Sequence, residues 1–290
     1  MSYALHLSTV IAIYALLACS LNLTAGFLGL ISICQAAFFG LGAYTAALLL
    51  RGTANEAVFV APICFLVGWA AGVALSTALF RLREDYFAIA SFAFQAVATT
   101  AFFNLYPVTG GAPGIAGIEP LRFGGISLAS AARSSASLVV IVGALWLIQR
   151  ALLRSPAARV LTAIREDEVS VLTAGLDPNR YRIALFAAGA GFAAMAGAFY
   201  ASYMTFINPT PFGFDESLLI LCCVVLGGSG TTAGPIVGAV ALVCLPEALR
   251  FAGFPSAVAA NLRQIVFGVA LVAIIILRPT GFQRANRGGN

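Results

Sequence analysis

Residues 1–50 contain no Asp, Glu, Arg or Lys. A soluble domain has no interior large enough to bury such a run, whereas a bilayer requires it. The hydrocarbon core is roughly 30 Å thick and a helical residue rises about 1.5 Å, so a span needs about 20 apolar residues. Similar runs recur along the chain. The spans read Ala4–Leu23, Phe27–Leu50, Ala57–Phe80, Tyr86–Tyr106, Ser137–Leu153, Ile183–Ile207, Ser217–Leu226, Ile236–Leu249 and Gln264–Leu277. The whole chain of 290 residues is 61% hydrophobic and 9% charged, with a mean hydropathy of +0.97. Soluble domains run at about 45–50% apolar and about 25% charged. A soluble enzyme, a disordered chain and a collagen-like fibre are excluded. The expected fold is all-α: a polytopic transmembrane helix bundle of about 8–10 membrane segments, some broken or re-entrant. It forms one domain over residues 1–290. The N-terminus lacks a basic region and a clear cleavage site, so it reads as a first span and not as a cleavable signal.

Which charges are present excludes further functions. All sixteen basic residues are Arg. Without Lys the chain cannot build an ATP-binding P-loop, a protein-kinase site or a Schiff base. If ATP drives it, another subunit binds the nucleotide. The single His is His6, which leaves no catalytic triad and no His-based metal site in the membrane. Cys19, Cys34, Cys64, Cys222, Cys223 and Cys244 lie in apolar stretches without CxxC spacing and read as small buried hydrophobes. No catalytic residue, metal, cofactor or nucleic-acid partner is expected.

Arginine placement sets orientation, because basic loops stay cytoplasmic. Arg81, Arg83, Arg150, Arg154, Arg159, Arg165, Arg180, Arg182, Arg278, Arg284 and Arg287 fall on one side by span parity. That side is assigned cytoplasmic and includes the C-terminus. Arg51, Arg122, Arg133, Arg250 and Arg263 face out. The N-terminus then also lies outside, provided residues 27–50 cross once.

The cytoplasmic segment at about 154–182 carries helix signals at both ends. Ser155 suits an N-cap and Pro156 the first helical position. Gly175 suits a left-handed position after the helix, with Pro178 beyond. Val160, Leu161, Ile164, Val171 and Leu172 form one apolar stripe, interrupted by Glu168. An alternative is two short helices, with Asp167 capping the second. Either form leaves Glu166, Asp167 and Glu168 free to meet a partner, or simply solvated.

Two segments depart from plain spans. Asn22–Gly42 carries Asn22, Gly26, Gly29, Ser32, Gln35, Gly40 and Gly42. Gly227–Gly238 carries Gly227, Gly228, Ser229, Gly230, Gly234 and Pro235. Non-helical backbone at membrane depth survives only when buried or lining a watery cavity. Interrupted apolar segments in both halves of a transporter point to its solute path. Small residues also serve helix packing. Asp215, Glu216 and Glu247 lie near span ends, where interfacial water makes charge cheap. No carboxylate sits clearly mid-span, as expected of a path for a neutral or zwitterionic solute driven from outside the bilayer.

Three ordered sets of residues resemble a known family. One is Leu21-Asn22-Leu23-Thr24-Ala25-Gly26-Phe27-Leu28-Gly29 with Gln35-Ala36-Ala37-Phe38-Phe39-Gly40-Leu41-Gly42. Another is Ala163-Ile164-Arg165-Glu166-Asp167-Glu168 with Ala174-Gly175 and Arg180-Tyr181. The third is Val225-Leu226-Gly227-Gly228-Ser229-Gly230 with Gly234-Pro235-Ile236-Val237-Gly238, followed by Leu277-Arg278-Pro279-Thr280-Gly281. They resemble the LivM-type permeases of branched-chain amino acid ABC importers. The resemblance implies a pore made with a second, related permease. It also implies two cytoplasmic ATPase subunits, a periplasmic solute-binding protein and the bacterial inner membrane as location. ATP would act only through the partners. The resemblance implies an ATPase-coupling role for Arg165, Glu166, Asp167, Glu168, Ala174 and Gly175.

Relatives often carry Leu-Gly-His where this chain has Ile33-Cys34-Gln35. They also differ at Thr109-Gly110-Gly111-Ala112-Pro113-Gly114-Ile115. If either position touches solute, the solute departs from leucine, isoleucine or valine. Permeases for urea or short amides look similar. More distant alternatives are an ATP-independent channel, a secondary transporter and a membrane-embedded enzyme.

Overall fold

The computed structural model describes residues 2–51, 57–80, 84–123, 126–127, 130–251 and 268. The expected span Gln264–Leu277 apart from residue 268, the motif 277–281, Arg81, Arg83 and the Arg residues beyond 251 lie outside the described residues. The chain runs α1 (Ser2–Leu21), α2 (Gln35–Leu50), α3 (Ala57–Leu79), α4 (Glu84–Asn104), α5 (Tyr106–Thr109) and α6 (Ala131–Arg154). It continues through α7 (Pro156–Glu166), α8 (Glu168–Thr173), α9 (Pro178–Met204), α10 (Phe214–Gly227) and α11 (Gly234–Phe251). Five of the described helices are long and apolar enough to cross a membrane: Tyr3–Gly26, Phe59–Leu79, Tyr86–Asn104, Ala132–Arg154 and Pro178–Met204. α2 and the first part of α11 are shorter apolar helices. The protein is a multi-pass helical membrane bundle.

Helix α9 is the hub. Its Ala and Gly residues let neighbours approach to backbone distance. A Cβ placed on Gly42 of α2 would lie 1.9 Å from the Ala194 carbonyl oxygen, and one on Gly197 would lie 2.1 Å from that of Phe39. A Cβ on Gly68 of α3 would come within 2.4 Å of the Ala194 methyl. Around this hub Phe38, Phe87, Leu16, Leu17 and Ile220 are fully buried. Large apolar residues of α3, α4 and α6, including Phe59, Ile89, Val97 and Val140, point outward. That distribution suits a lipid-facing surface.

The two ends of the bundle differ. At one end the two-residue strands Ile115–Ala116 and Phe206–Ile207 pair antiparallel. Arg51 bridges to Ile118, and the Leu121 N–H donates to Ser202 Oγ at 2.8 Å. At the other, Arg-rich end lie the finish of α6, the whole of α7 and α8 and the start of α9.

Between the ends, the segment expected as one interrupted span is broken. A π-helical turn, Asn22–Gly26, prolongs α1; irregular backbone then leads to α2. Helix α2 therefore starts inside the bundle, where its first N–H groups have no water to bond. Side chains satisfy them. Ala36 N–H donates to Ser217 Oγ and Ala37 N–H to Gln95 Oε1, both at 2.9 Å. Ile33 N–H donates to Ser91 Oγ at 3.1 Å.

Candidate functional site

The two irregular segments, far apart in sequence, meet at the Arg-rich end. Asn22 is fully buried and joins three elements. Its Nδ2 donates to the Thr231 carbonyl at 2.9 Å and to Gln149 Oε1 at 3.2 Å. Its Oδ1 accepts from the Gly230 N–H at 3.0 Å. Gln149, from α6, also donates through Nε2 to the Cys19 carbonyl at 2.6 Å.

Two glycines make this closeness feasible. Gly230 has φ +79, a left-handed conformation that costs a side chain about 1–2 kcal/mol. A Cβ on Gly26 would lie 2.0 Å from Asn22 Oδ1 and 2.6 Å from the Gly230 nitrogen. The turn between α10 and α11 is equally tight. A Cβ on Gly227 would lie 1.8 Å from the Gly234 carbonyl oxygen, and Gly228 has φ +98. Gly234 N–H donates to Thr231 Oγ1 at 3.1 Å; Pro235 is buried in the first turn of α11 and Ser229 sits in the turn itself. Thus Asn22, Gly26, Gly227, Gly228, Ser229, Gly230, Gly234 and Pro235 form one joint.

Other residues expected on the path lie elsewhere. Gln35 and Ser32 are buried where α2 begins. Gln35 Nε2 donates to Ser20 Oγ at 2.6 Å, and Ser32 Oγ lies 3.2 Å from Cys34 Sγ. Gly42 is in the α9 contact, and Gly40 packs under Phe102 and Phe212. Thr109 to Ile115 forms a glycine turn: Gly110, Gly111 and Gly114 all have positive φ, and a Cβ on Gly114 would lie 2.0 Å from the Ile207 carbonyl oxygen.

The segment 154–182 takes the two-helix form. Ser155 occupies the N-cap position, but its Oγ donates to the Leu152 carbonyl at 2.7 Å and leaves the α7 N–H groups uncapped. The expected Ser155 cap is therefore corrected: the hydroxyl bonds back into the preceding helix. Pro156 opens α7. Asp167 caps α8, accepting from Val169 N–H at 3.0 Å and from the Ser170 hydroxyl. These bonds favour its ionised form and hold its carboxyl below the usual aspartate value. The end of α8 is a Schellman turn. Leu176 N–H reaches the Val171 carbonyl at 3.2 Å, Gly175 N–H reaches that of Leu172 at 3.0 Å, and Gly175 has φ +79. Asp177 then caps α9, and Pro178 is its first residue.

The apolar stripe divides. Leu161, Ile164 and Val171 are buried, whereas Leu172 is 54% exposed and Val169, off the expected stripe, 67% exposed. The exposed surface of α8 therefore combines two apolar side chains with the Asp167 carboxylate. Glu166 and Ala174 are also exposed, beside the exposed Gly175.

Arg165 connects this segment to the joint. Its Nη1 donates to the Gly26 carbonyl at 3.4 Å, and its stem runs past Gly29, which has φ +74. A Cβ on Gly29 would lie 3.1 Å from Arg165 Nε. Nη2 is buried and has no hydrogen-bond partner among the described residues. Burial lowers the guanidinium's pKa from its usual value, and Glu166 acts in the opposite sense. Sequence reasoning singled out Arg165 but missed Gln149, Gln95 and Ser20. The available signal was an uncharged amide or hydroxyl inside an otherwise apolar span. Among the described residues no group of three His, Cys, Asp or Glu side chains could hold a metal ion.

Comparison with known proteins adds a further finding. The family described as "Branched-chain amino acid transport system / permease component" matches residues 3–275. The high-affinity branched-chain amino acid transport system permease protein LivM of Escherichia coli K12 is 31% identical over 299 residues, covering 95% of this chain and 68% of the relative. The probable branched-chain amino acid transport permease protein LivM of Methanocaldococcus jannaschii is 29% identical, covering 74% of this chain and 65% of its own. The corresponding LivH permease of Salmonella typhimurium is 25% identical, covering 92% and 90%. No solved structure matches the chain.

Proposed function

Since the chain belongs to the permease-component family of branched-chain amino acid transport systems, we propose that it lines the solute path of an ATP-driven importer for branched-chain amino acids. The chain is a transporter permease and a multi-pass membrane protein. A second, related permease completes the pore, as the similarity to both LivM and LivH proteins supports. Two cytoplasmic ATPase subunits supply the energy, because this chain has no Lys for a P-loop. A periplasmic binding protein delivers solute. The membrane is the bacterial inner membrane. The Arg-rich end and the C-terminus are cytoplasmic, in keeping with the positive-inside rule.

One observation carries the mechanism: Arg165, on the segment exposed for docking, bonds the Gly26 carbonyl inside the joint. The ATPases dock on α7 and α8 through Glu166, Asp167 and Glu168 as charge-assisted pairs, with Val169 and Leu172 as apolar contacts. Ala174 and Gly175 set the angle at which α8 meets α9. Closure of the ATPase pair displaces the segment. Arg165 passes the displacement to Gly26 and Gly29, and Asn22 passes it to the α10–α11 turn. That turn is the inner gate. Gly227, Gly228, Ser229, Gly230, Gly234 and Pro235 line it, and Ser32, Gln35, Gly40 and Gly42 hold the adjoining broken span. The unsatisfied Nη2 of Arg165 fits a contact that is exchanged between two states, since an unpaired buried donor is costly in either one alone.

Affinity purification from mild-detergent membranes, with mass spectrometry of the bound chains, tests the assembly. The proposal expects two ATPase chains and a second permease. A protein that emerges alone and passes solute in ATP-free liposomes would instead be a channel or secondary transporter.

A further inference from the structure

On the face of the bundle away from the joint, an open cleft of about 200 Å³ separates the first half of α1 from α10 and α11. Its walls are aliphatic, with Val10 on one side and Leu219 and Leu242 on the other. Its polar groups are Tyr3, His6, Tyr14 and Glu247. Glu247 follows the apolar part of α11. The Tyr3 hydroxyl donates to it from α1. His6 is held by Tyr203, with Nδ1 2.7 Å from the phenolic oxygen and the rings stacked at 5.6 Å. The hydroxyl of Tyr14, which also lines the cleft, donates to Glu216.

We infer that this cleft is a binding site for an aliphatic α-amino acid. The inference rests on the amino acid permease reading and deepens it by giving the solute a place. The ammonium meets the Glu247 carboxylate and the Tyr3 oxygen. The carboxylate meets His6, whose Nδ1 is engaged by Tyr203 and whose Nε2 is the nitrogen left for a ligand. The side chain lies along Val10, Leu219 and Leu242, where each methylene removed from water contributes about 0.8 kcal/mol. The cleft also lies between α1 and the α10–α11 pair, the same elements that Asn22 ties together at the other end. Displacement of the joint therefore changes the cleft's width and couples its occupancy to the docking segment. A primary ammonium beside an anion is also the chemistry of an aminophospholipid headgroup, so the test separates the two sources.

The test uses the assembled complex in proteoliposomes and measures KM for leucine, valine and alanine uptake. Val10 is only partly buried, so its replacement spares the core. Val10→Phe narrows the cleft and is expected to raise the leucine-to-alanine KM ratio at least about tenfold, the discrimination one methylene supplies in an apolar pocket. Val10→Ala is expected to lower that ratio. Glu247→Gln is expected to raise KM for all three solutes together. These ratios do not depend on how much complex assembles. Ratios unchanged in both Val10 variants, in a parent complex that does take up leucine, overturn the cleft alone. Unchanged ratios with an uptake that follows the phosphatidylethanolamine content of the vesicles assign the cleft to lipid and likewise overturn it. A parent complex that takes up no aliphatic amino acid overturns the permease reading, and the cleft with it.

Discussion

Asn22 accepts a hydrogen bond from the Gly230 backbone N–H at 3.0 Å, although the two residues are 208 positions apart. The bond closes a joint between a π-helical turn and the α10–α11 turn, and the same side chain donates to Thr231 and Gln149. An amide is suited to this place because it donates two hydrogen bonds and accepts others from one planar group. Neither a carboxylate nor an aliphatic side chain does both.

Asn22→Ala removes all three bonds and leaves the Gly230 N–H, the Thr231 carbonyl and the Gln149 amide short of partners. Gln149 is buried, and an unsatisfied buried group costs about 1–3 kcal/mol; the less enclosed Gly230 and Thr231 groups contribute less. The expected result is a clearly lower unfolding temperature and loss of uptake. Five of the six cysteines are buried, so a thiol-reactive dye reports unfolding directly. Gln149→Ala, which leaves the Asn22–Gly230 bond in place, is expected to cost less.

At Gly175 the demand is conformational. Its φ is +79, and nothing lies within 4 Å of where a Cβ would be. Gly175→Val therefore meets backbone strain and no clash. It is expected to straighten the α8–α9 turn and to lower solute uptake while leaving the bundle folded. Gly175→Asn is expected to retain most of the uptake, because Asn tolerates the left-handed region. Equal uptake by the Val and Asn variants would remove the geometric role.

Asp167 provides a pH test. Its folded-state pKa is depressed by the Ser170 hydroxyl and the Val169 N–H. A depressed carboxylate contributes its stability fully above the unfolded value, about 3.9, and loses it as pH falls through the lower folded value. The α8 cap is therefore expected to persist at pH 4 and to fail only below it. The check is exchange of the Val169 amide relative to an Asp167→Asn variant at each pH. Ser170→Ala is expected to move the loss upward, toward the ordinary carboxylate range.

Charge-free runs made the spans legible, because a bilayer tolerates little else over about 20 residues. The break after Gly26 and the short α10 were legible for a related reason: glycines and hydroxyls cluster there within apolar sequence. Gly175 and the Asp167 cap followed from helix-end chemistry, which is local. What was illegible was non-local. Nothing near Gln149 in sequence indicates that its partners are Asn22 and Cys19, because packing of α6 against α1 brings them together. The same holds for Gln95 and Ser217, which serve the start of α2 from two other helices. Gly40 and Gly42 looked like the joint glycines in composition and differ from them only in what they face. Ser155 shows the limit of local rules, since the capping residue is present and its hydroxyl bonds elsewhere.

Two glycine replacements separate packing from propensity. Gly26→Ala forces a methyl into Asn22 and the Gly230 backbone and is expected to abolish assembly of the joint. Gly143→Ala in α6 meets nothing within 4 Å. It is expected to be neutral or to stabilise by about 0.4–1 kcal/mol, by restricting the unfolded chain. Thermal unfolding of the two variants side by side checks both.

The most direct test of coupling between the docking segment and the joint concerns Arg165. Radiolabelled leucine uptake and ATP hydrolysis are measured together in proteoliposomes holding the assembled transporter, for the parent and for Arg165→Met. Methionine keeps much of the apolar stem and removes the charged donor that reaches the Gly26 carbonyl at 3.4 Å. Hydrolysis is expected to continue in Arg165→Met while uptake falls by about tenfold or more. Uptake at the parent rate, or uptake in the parent that needs no ATP, would contradict that coupling.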